Sequence, residues 1–188
     1  MNVNHQITDM ERIVGHTFQN RQLAVECLYH GGQYIFFDGV LQKPARNERL
    51  AIVGDKILDV VLGTKWYYSR DAQGVPRPKV QWNVMIRDDL VANVNLSIRG
   101  RRYGLDICVI KDTGTSSVSP DMMATTLEAV IGAVFLDTGA NTLDTVRAVM
   151  SNLGLFEHPL LLVTLKNSPP LYYKDIQMIT KVQYLDTS

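Results

Sequence analysis

Carboxylates, and the intervals between them, carry most of what can do chemistry in this chain. Glu48, Asp55 and Asp59 fall on one stripe of a helix turning about 100° per residue, and Ala51 interrupts that stripe. Leu50, Val53, Ile57 and Val61 cover the opposite side, so this helix should be central to a core with its acidic stripe at the core's edge. Carboxylates in such a place are unfavourable unless a cation, a hydrogen-bond donor or water compensates them, which makes the stripe a candidate site. A second stripe, Asp121, Thr125 and Glu128, lies on a stretch that is nearly apolar all round. Arg99, Arg101 and Arg102, with Arg77, Lys79 and Arg87 nearby in sequence, read either as a local phosphate-binding patch or as a solvated helix end, where cations are favoured. No serine-histidine-aspartate order, phosphate loop or zinc-ligand spacing stands out.

The elements that position these residues are predominantly helical. Residues 8–16 form a short helix with Asp9 as its cap and Gly15 as its stop, and Asn20 caps a second that carries Leu23, Ala24, Cys27 and Leu28. Residues 30–45, with Gly31, Gly32, Gly39 and Pro44, read as a loop around a buried aromatic cluster of Tyr34, Phe36 and Phe37, in which a short strand is compatible but not required. The helix of the first stripe spans 46–68. Gly54 and Gly63 within it each cost about 1 kcal/mol relative to alanine, and such glycines often permit close backbone approach. After a turn at 71–79, the apolar spacing from Val84 to Ile98 predicts one helix over 80–102, ended by Gly104. Ser119 or Asp121 caps the helix of the second stripe, whose Met122, Met123, Leu127, Val130, Ile131, Val134 and Phe135 argue for burial and whose Gly132 and Ala133 invite tight packing. A last helix at 143–153 precedes a tail.

The expected architecture is therefore all-α over residues 1–156, followed by an extension at 157–188. Strand-like segments in that extension are interrupted by Pro169 and Pro170. A chain of 188 residues supports one sizeable core. With 19 basic and 19 acidic residues there is no global attraction to nucleic acid, so any RNA binding must rest on a local patch. The longest apolar runs are too short to span a bilayer. Cys27 and Cys108 lack metal-ligand spacing and read as buried thiols of a reducing compartment, and the N-terminus resembles neither a secretory nor a transit peptide. The expected location is intracellular, without distinction among cytoplasm, nucleus and mitochondrion.

Four ordered blocks between about residues 10 and 155 resemble the catalytic domain of the ribonuclease III family. Gly15-His16-Thr17-Phe18-Gln19-Asn20-Arg21 and Leu28-Tyr29-His30 are similar to the family's opening helices. Residues 47–58 are similar to its signature helix, Asn-Glu-Arg-Leu-Glu-Phe-Leu-Gly-Asp-Ala-Val-Leu. Arg87, Leu90, Val91, Asn93, Leu96, Ile98, Gly104 and Leu105 match the middle helices. Residues 124–139 resemble Ala-Asp-x-x-Glu-Ala-Leu-Ile-Gly-Ala-x-Tyr-Leu-Asp-x-Gly. The resemblance stops before the tail, in which no double-stranded-RNA-binding module is read.

In that family two such domains pair into a homodimer, and each active site uses four carboxylates to hold magnesium and hydrolyse a phosphodiester of double-stranded RNA. Carried over residue by residue, the resemblance makes Asp55 and Glu128 catalytic metal ligands, with Mg2+ as cofactor and Mn2+ as a substitute wherever the site still binds metal. It places Ala51 where the family has glutamate and Thr125 where it has aspartate. A methyl cannot coordinate, and a neutral hydroxyl replaces a carboxylate poorly, so the loss of two anionic ligands predicts a degenerate site. Asp121, one turn from Thr125, is a candidate substitute metal ligand, against its reading as a carboxylate favoured at a helix N-terminus. Glu48 is implied near RNA, alongside Arg99, Arg101 and Arg102. His30 matches a family histidine and reads as a neutral structural residue. The resemblance thus implies a homodimeric domain that contacts double-stranded or structured RNA, in RNA processing or a ribonucleoprotein, with cleavage lost or impaired. Two alternatives stand beside it: an active magnesium-dependent endoribonuclease with an altered ligand set, and a protein-interaction module that does not bind RNA.

Overall fold

The computed structural model describes residues 2–139, 142–158 and 161, with the side chains at 85–87 outside that description. Seven α-helices and one β-hairpin occur among these residues. Helix α1 (Asn4–Val14) ends at Gly15 in the left-handed conformation, and α2 (Arg21–Glu26) is capped by the Asn20 side chain, which accepts from the Gln22 amide at 3.1 Å. Strands β1 (Ile35–Phe37) and β2 (Val40–Gln42) pair antiparallel around Asp38 and Gly39, both at positive φ. Helices α3 (Glu48–Tyr68), α4 (Lys79–Trp82) and α5 (Asn93–Arg102) follow, with a π-helical turn at Asn83–Asp88 before α5 and a 3-10 turn at Leu105–Cys108 after it. Helices α6 (Pro120–Asp137) and α7 (Thr142–Asn152) complete the order. The fold is helical, as the patterning predicts.

Helix α6, rather than α3, is the centre. Its residues Met123, Ala124, Thr126 and Leu127, and the whole run from Ala129 to Val134, are buried, and it packs against α3, α5, α7 and α2. Ser119 caps it by accepting from the Met122 amide at 3.1 Å, with Pro120 in the first turn. Helix α3 buries only one face, Leu50, Ala51, Gly54, Leu58, Val61 and Leu62, and leaves Ile52, Val60, Tyr67 and Tyr68 exposed. Its most extensive contact is with α6, and two glycines make that contact possible. A Cβ on Gly54 would overlap the Glu128 carbonyl, and a Cβ on Gly132 would overlap the Leu50 carbonyl. The two backbones therefore cross in direct contact.

A buried clamp ties the C-terminal end of α6 to the opening helices. The Asp137 carboxylate, 1% exposed, accepts from the amides of Gln19 at 3.0 Å and Asn20 at 2.7 Å and from His16 Nε2 at 2.9 Å. Burial alone would raise its pKa, but the two backbone donors and the histidine outweigh that and hold the carboxyl below the ordinary carboxylate range.

Four expectations require correction. Helix α1 begins at Asn4, so Asp9 lies inside it and pairs with Arg12 at 3.2 Å instead of capping. The 30–45 region contains the hairpin, and its aromatics diverge: Phe37 is buried, whereas Tyr34 and Phe36 face solvent, because alternate strand residues point to opposite sides. The single helix expected over 80–102 is broken between Asp88 and Ala92. Leu90 turns fully into the core there, and the Asn95 amide side chain donates to the Asp88 carbonyl at 2.9 Å, so local hydrogen bonding competes with helix continuation. The centrality expected of 46–68 belongs to α6. Most of 157–188, including its strand-like segments, lies outside the described residues.

The crossing makes a sharp mutational prediction. Gly54→Ala and Gly132→Ala should each destabilise the fold by about 3 kcal/mol or more, because a backbone rather than a flexible side chain must yield. The melting temperature should fall by about 10 °C in a domain of this size. Exposed Gly114 meets nothing within 4 Å of an added Cβ, so Gly114→Ala serves as the control and should stay within about 0.5 kcal/mol. Thermal denaturation checks all three, and an unchanged transition in Gly54→Ala would contradict the direct crossing.

Candidate active site

The glycine crossing sets the two carboxylates of the candidate site against each other. Asp55 follows Gly54 on α3, and Glu128 is the residue whose carbonyl Gly54 meets on α6. Glu128 is half-buried, and its pKa is pushed up to about 7, first by burial and then by the negative charge of Asp55, against the opposing charge of Lys56. Lys56 Nζ donates to Asp55 Oδ2 at 2.7 Å, so a cation already engages this carboxylate. Two acids and one base thus share the point where the helices meet.

The other residues expected here divide. Ala51 is 6% exposed and lies on the buried face of α3, so a carboxylate at this position would require compensation. Thr125 is half-buried on α6, three residues before Glu128. Asp121 is exposed in the first turn of α6, where the helix dipole favours a carboxylate. Glu48 begins α3 with its side chain 70% exposed, 3.7 Å from Arg46. Asp59 is exposed farther along α3. Among the described residues, no group of three or more histidine, cysteine, aspartate or glutamate side chains is arranged to hold a metal ion. Two carboxylates, one of them already engaged by an ammonium, do not fit the four-carboxylate magnesium set that the sequence resemblance implies.

The three arginines at the end of α5 have intramolecular partners. Arg99 donates to the carbonyls of Gly154 and Glu157, Arg101 donates to the Val118 carbonyl, and Arg102 lies 3.4 Å from the Glu157 carboxylate. Arg102, 66% exposed, presents the most open guanidinium of the three. His30 is held between α3 and α6: its Nε2 lies 2.8 Å from the donor Asn47 Nδ2 and 2.9 Å from Thr126 Oγ1. Burial, then the charge of Arg46, lowers its pKa, which favours the neutral ring. Its contacts are with structural polar groups of the helix core.

Sequence reasoning missed Lys56. The signal was present, because the signature helix of the resembled family has alanine at that place, where this chain adds a cation. It also missed the groove lined by Gly63, Trp66, Tyr67, Lys79 and Trp82, since Trp82 reaches Gly63 only through tertiary packing.

The raised pKa of Glu128 has a stability consequence. A carboxyl that holds its proton more tightly in the folded chain than in the unfolded one makes the fold most stable where it is protonated, and that contribution is lost as pH rises from about 4.5 through about 7. Glu128→Gln should remove this dependence and melt several degrees higher than the wild type at pH 8. Melting curves across pH 5 to 8 check it, and a Glu128→Gln transition that is lower at pH 8 would contradict the electrostatic strain.

A model of the ribonuclease-III-like family matches residues 26–153. Ribonuclease 3 of Sulfurovum sp. is 26% identical over 141 residues, covering 72% of this chain and 56% of the relative. Ribonuclease 3 of Wolinella succinogenes is 28% identical over 151 residues, covering 78% and 57% respectively. The chain spans a little over half the length of these curated relatives. Two solved structures of the nuclease domain of ribonuclease III from Campylobacter jejuni share its fold. They give TM-scores of 0.61 and 0.60 at 22% identity, covering 78% of this chain and 97% and 95% of theirs. The first is described by structural flexibility in the region involved in dimer formation. With more than half of its length matched by the family model and its helices in the same arrangement, the chain belongs to the ribonuclease-III-like family.

Proposed function

We propose that this chain is a homodimeric ribonuclease III-like domain that binds double-stranded or structured RNA, in RNA processing or within a ribonucleoprotein, with a degenerate active site whose cleavage is lost or strongly impaired. The observation that carries the reading is the composition of the crossing. Asp55 and Glu128 remain opposed there, Ala51 and Thr125 occupy the places of two further acids, and Lys56 is bonded to Asp55. A magnesium ion requires hard oxygen ligands in near-octahedral geometry, and half of the family's anionic set has been replaced.

Dimerisation is supported by the outer face of α3, where Ile52, Val60 and Tyr67 are 67%, 51% and 66% exposed. Side chains at this spacing share one face of the helix, on which Lys56 lies between Ile52 and Val60, and its apolar part suits a second copy better than water. RNA contact is assigned to Glu48 at the start of α3 and to the α5 end, with Arg102 outermost and Arg99 and Arg101 ordering the segment around it. The functional unit is residues 1–156, with 157–188 as its extension. No helix of the described residues is long and apolar enough to cross a membrane.

The test combines binding and cleavage. Labelled duplex RNA, titrated at several salt concentrations, should bind with an affinity that weakens as salt rises, because phosphate contacts release counterions. In Mg2+ or Mn2+ the same RNA should remain intact. Cleavage by the wild type that disappears in an Asp55→Ala/Glu128→Ala control would overturn the reading in favour of an active endoribonuclease, and absence of RNA binding at any salt would favour a protein-interaction module. Solution mass at micromolar concentration should correspond to a dimer.

A further inference from the structure

The cation at the helix crossing points to how the degenerate site stays balanced. The family signature places alanine after its aspartate, and here that place holds Lys56, whose Nζ donates to Asp55 Oδ2 at 2.7 Å. The ammonium also acts electrostatically on Glu128, against the effect of Asp55, so its charge reaches both remaining acids. We propose that Lys56 is a resident cation of this site, balancing the Asp55–Glu128 pair in place of a divalent metal ion and disfavouring binding of one.

The inference rests on the degenerate-site reading and specifies its mechanism. Removing two carboxylates weakens metal binding, but it also leaves two acids opposed across the crossing, with ionisation of Glu128 disfavoured beside Asp55. Direct backbone contact at Gly54 and Gly132 fixes the separation of the α3 and α6 backbones, so the repulsion between Asp55 and Glu128 is not relieved by a shift of either helix. A positive charge beside them relieves it without any shift of backbone. The same charge repels an arriving Mg2+, and the described residues offer it no third carboxylate or imidazole in compensation.

An ordinary surface ion pair is the competing account. Lys56 is 70% exposed and adjacent in sequence to Asp55, and such pairs contribute little to stability. Stability therefore does not discriminate between the two accounts, whereas metal affinity does. The exposure is useful for the test, because substitutions at Lys56 leave the core untouched.

The experiment is a Mn2+ titration of the full chain, with free ion followed by electron paramagnetic resonance and Mg2+ used as competitor. Wild type and Lys56→Arg should bind Mn2+ weakly. Lys56→Ala and Lys56→Gln should each bind it about tenfold more tightly or better, the scale on which neighbouring groups tune ion sites. Adding Glu128→Gln to Lys56→Ala should abolish the gain, which places the ion at the crossing. Equal affinity in wild type, Lys56→Ala and Lys56→Gln would overturn the proposal, as would a gain that survives Glu128→Gln. Duplex-RNA cleavage measured alongside separates the two levels. Cleavage by the wild type would sink the degenerate-site reading, whereas an unchanged Mn2+ affinity with intact RNA would sink only the role given to Lys56.

Discussion

Direct contact between two helix backbones is the constraint on which this structure depends. A helix pair normally keeps its axes apart by the width of its side chains. At Gly54 and Gly132 there is no side chain to separate α3 from α6, and a carbonyl of each helix fills the space left by the other's missing methyl. The contact fixes where Asp55 and Glu128 stand, and it lies under the face that buries Leu50, Leu58 and Leu62. None of these interactions needs a metal ion. The scaffold is therefore held by apolar packing and backbone contact, independently of which side chains surround the crossing.

Two carboxylates on α6 show how environment divides one chemical group into two roles. Two amides and a histidine donate to Asp137, so its charge is favoured and it fastens α6 to the α1–α2 connection. Glu128 is half-buried and faces another acid, so its charge is disfavoured. Burial acts in the same direction on both, and the identity of the neighbour decides the outcome. The first residue is structural cement; the second keeps the electrostatic strain characteristic of a site.

Much of this was legible in the sequence because it depends on periodicity and on local hydrogen bonding. The apolar run of α6 announced its burial, Gly15, Asn20 and Ser119 marked helix ends through backbone chemistry that acts over a few residues, and the in-helix glycines signalled a close approach. The pairing of Asp55 with Glu128 was legible only through family resemblance, since no local rule joins residues so far apart in the chain. What escaped is tertiary in origin. The break before α5 depends on Leu90 finding the core, which overrides a helical apolar pattern. The α5 arginines read as a cationic patch, but their partners are carbonyls and a carboxylate supplied by other segments, at Val118, Gly154 and Glu157. The hairpin was legible only as a compatible short strand, because three-residue strands are too short to establish an alternation.

That hairpin has a consequence of its own for solubility. Among the described residues its second strand, Val40–Gln42, pairs only with β1, so one row of its backbone donors and acceptors has no strand partner there, beside exposed Val40 and Leu41. An open apolar edge of this kind is a template for unwanted strand addition and aggregation. The chain limits the hazard at once: the strand is three residues long, Lys43 follows it in solvent, and Pro44 then withholds the donor that a longer ladder would require. Charge and ring closure act here as gatekeepers, keeping a sticky edge too short to recruit a neighbour.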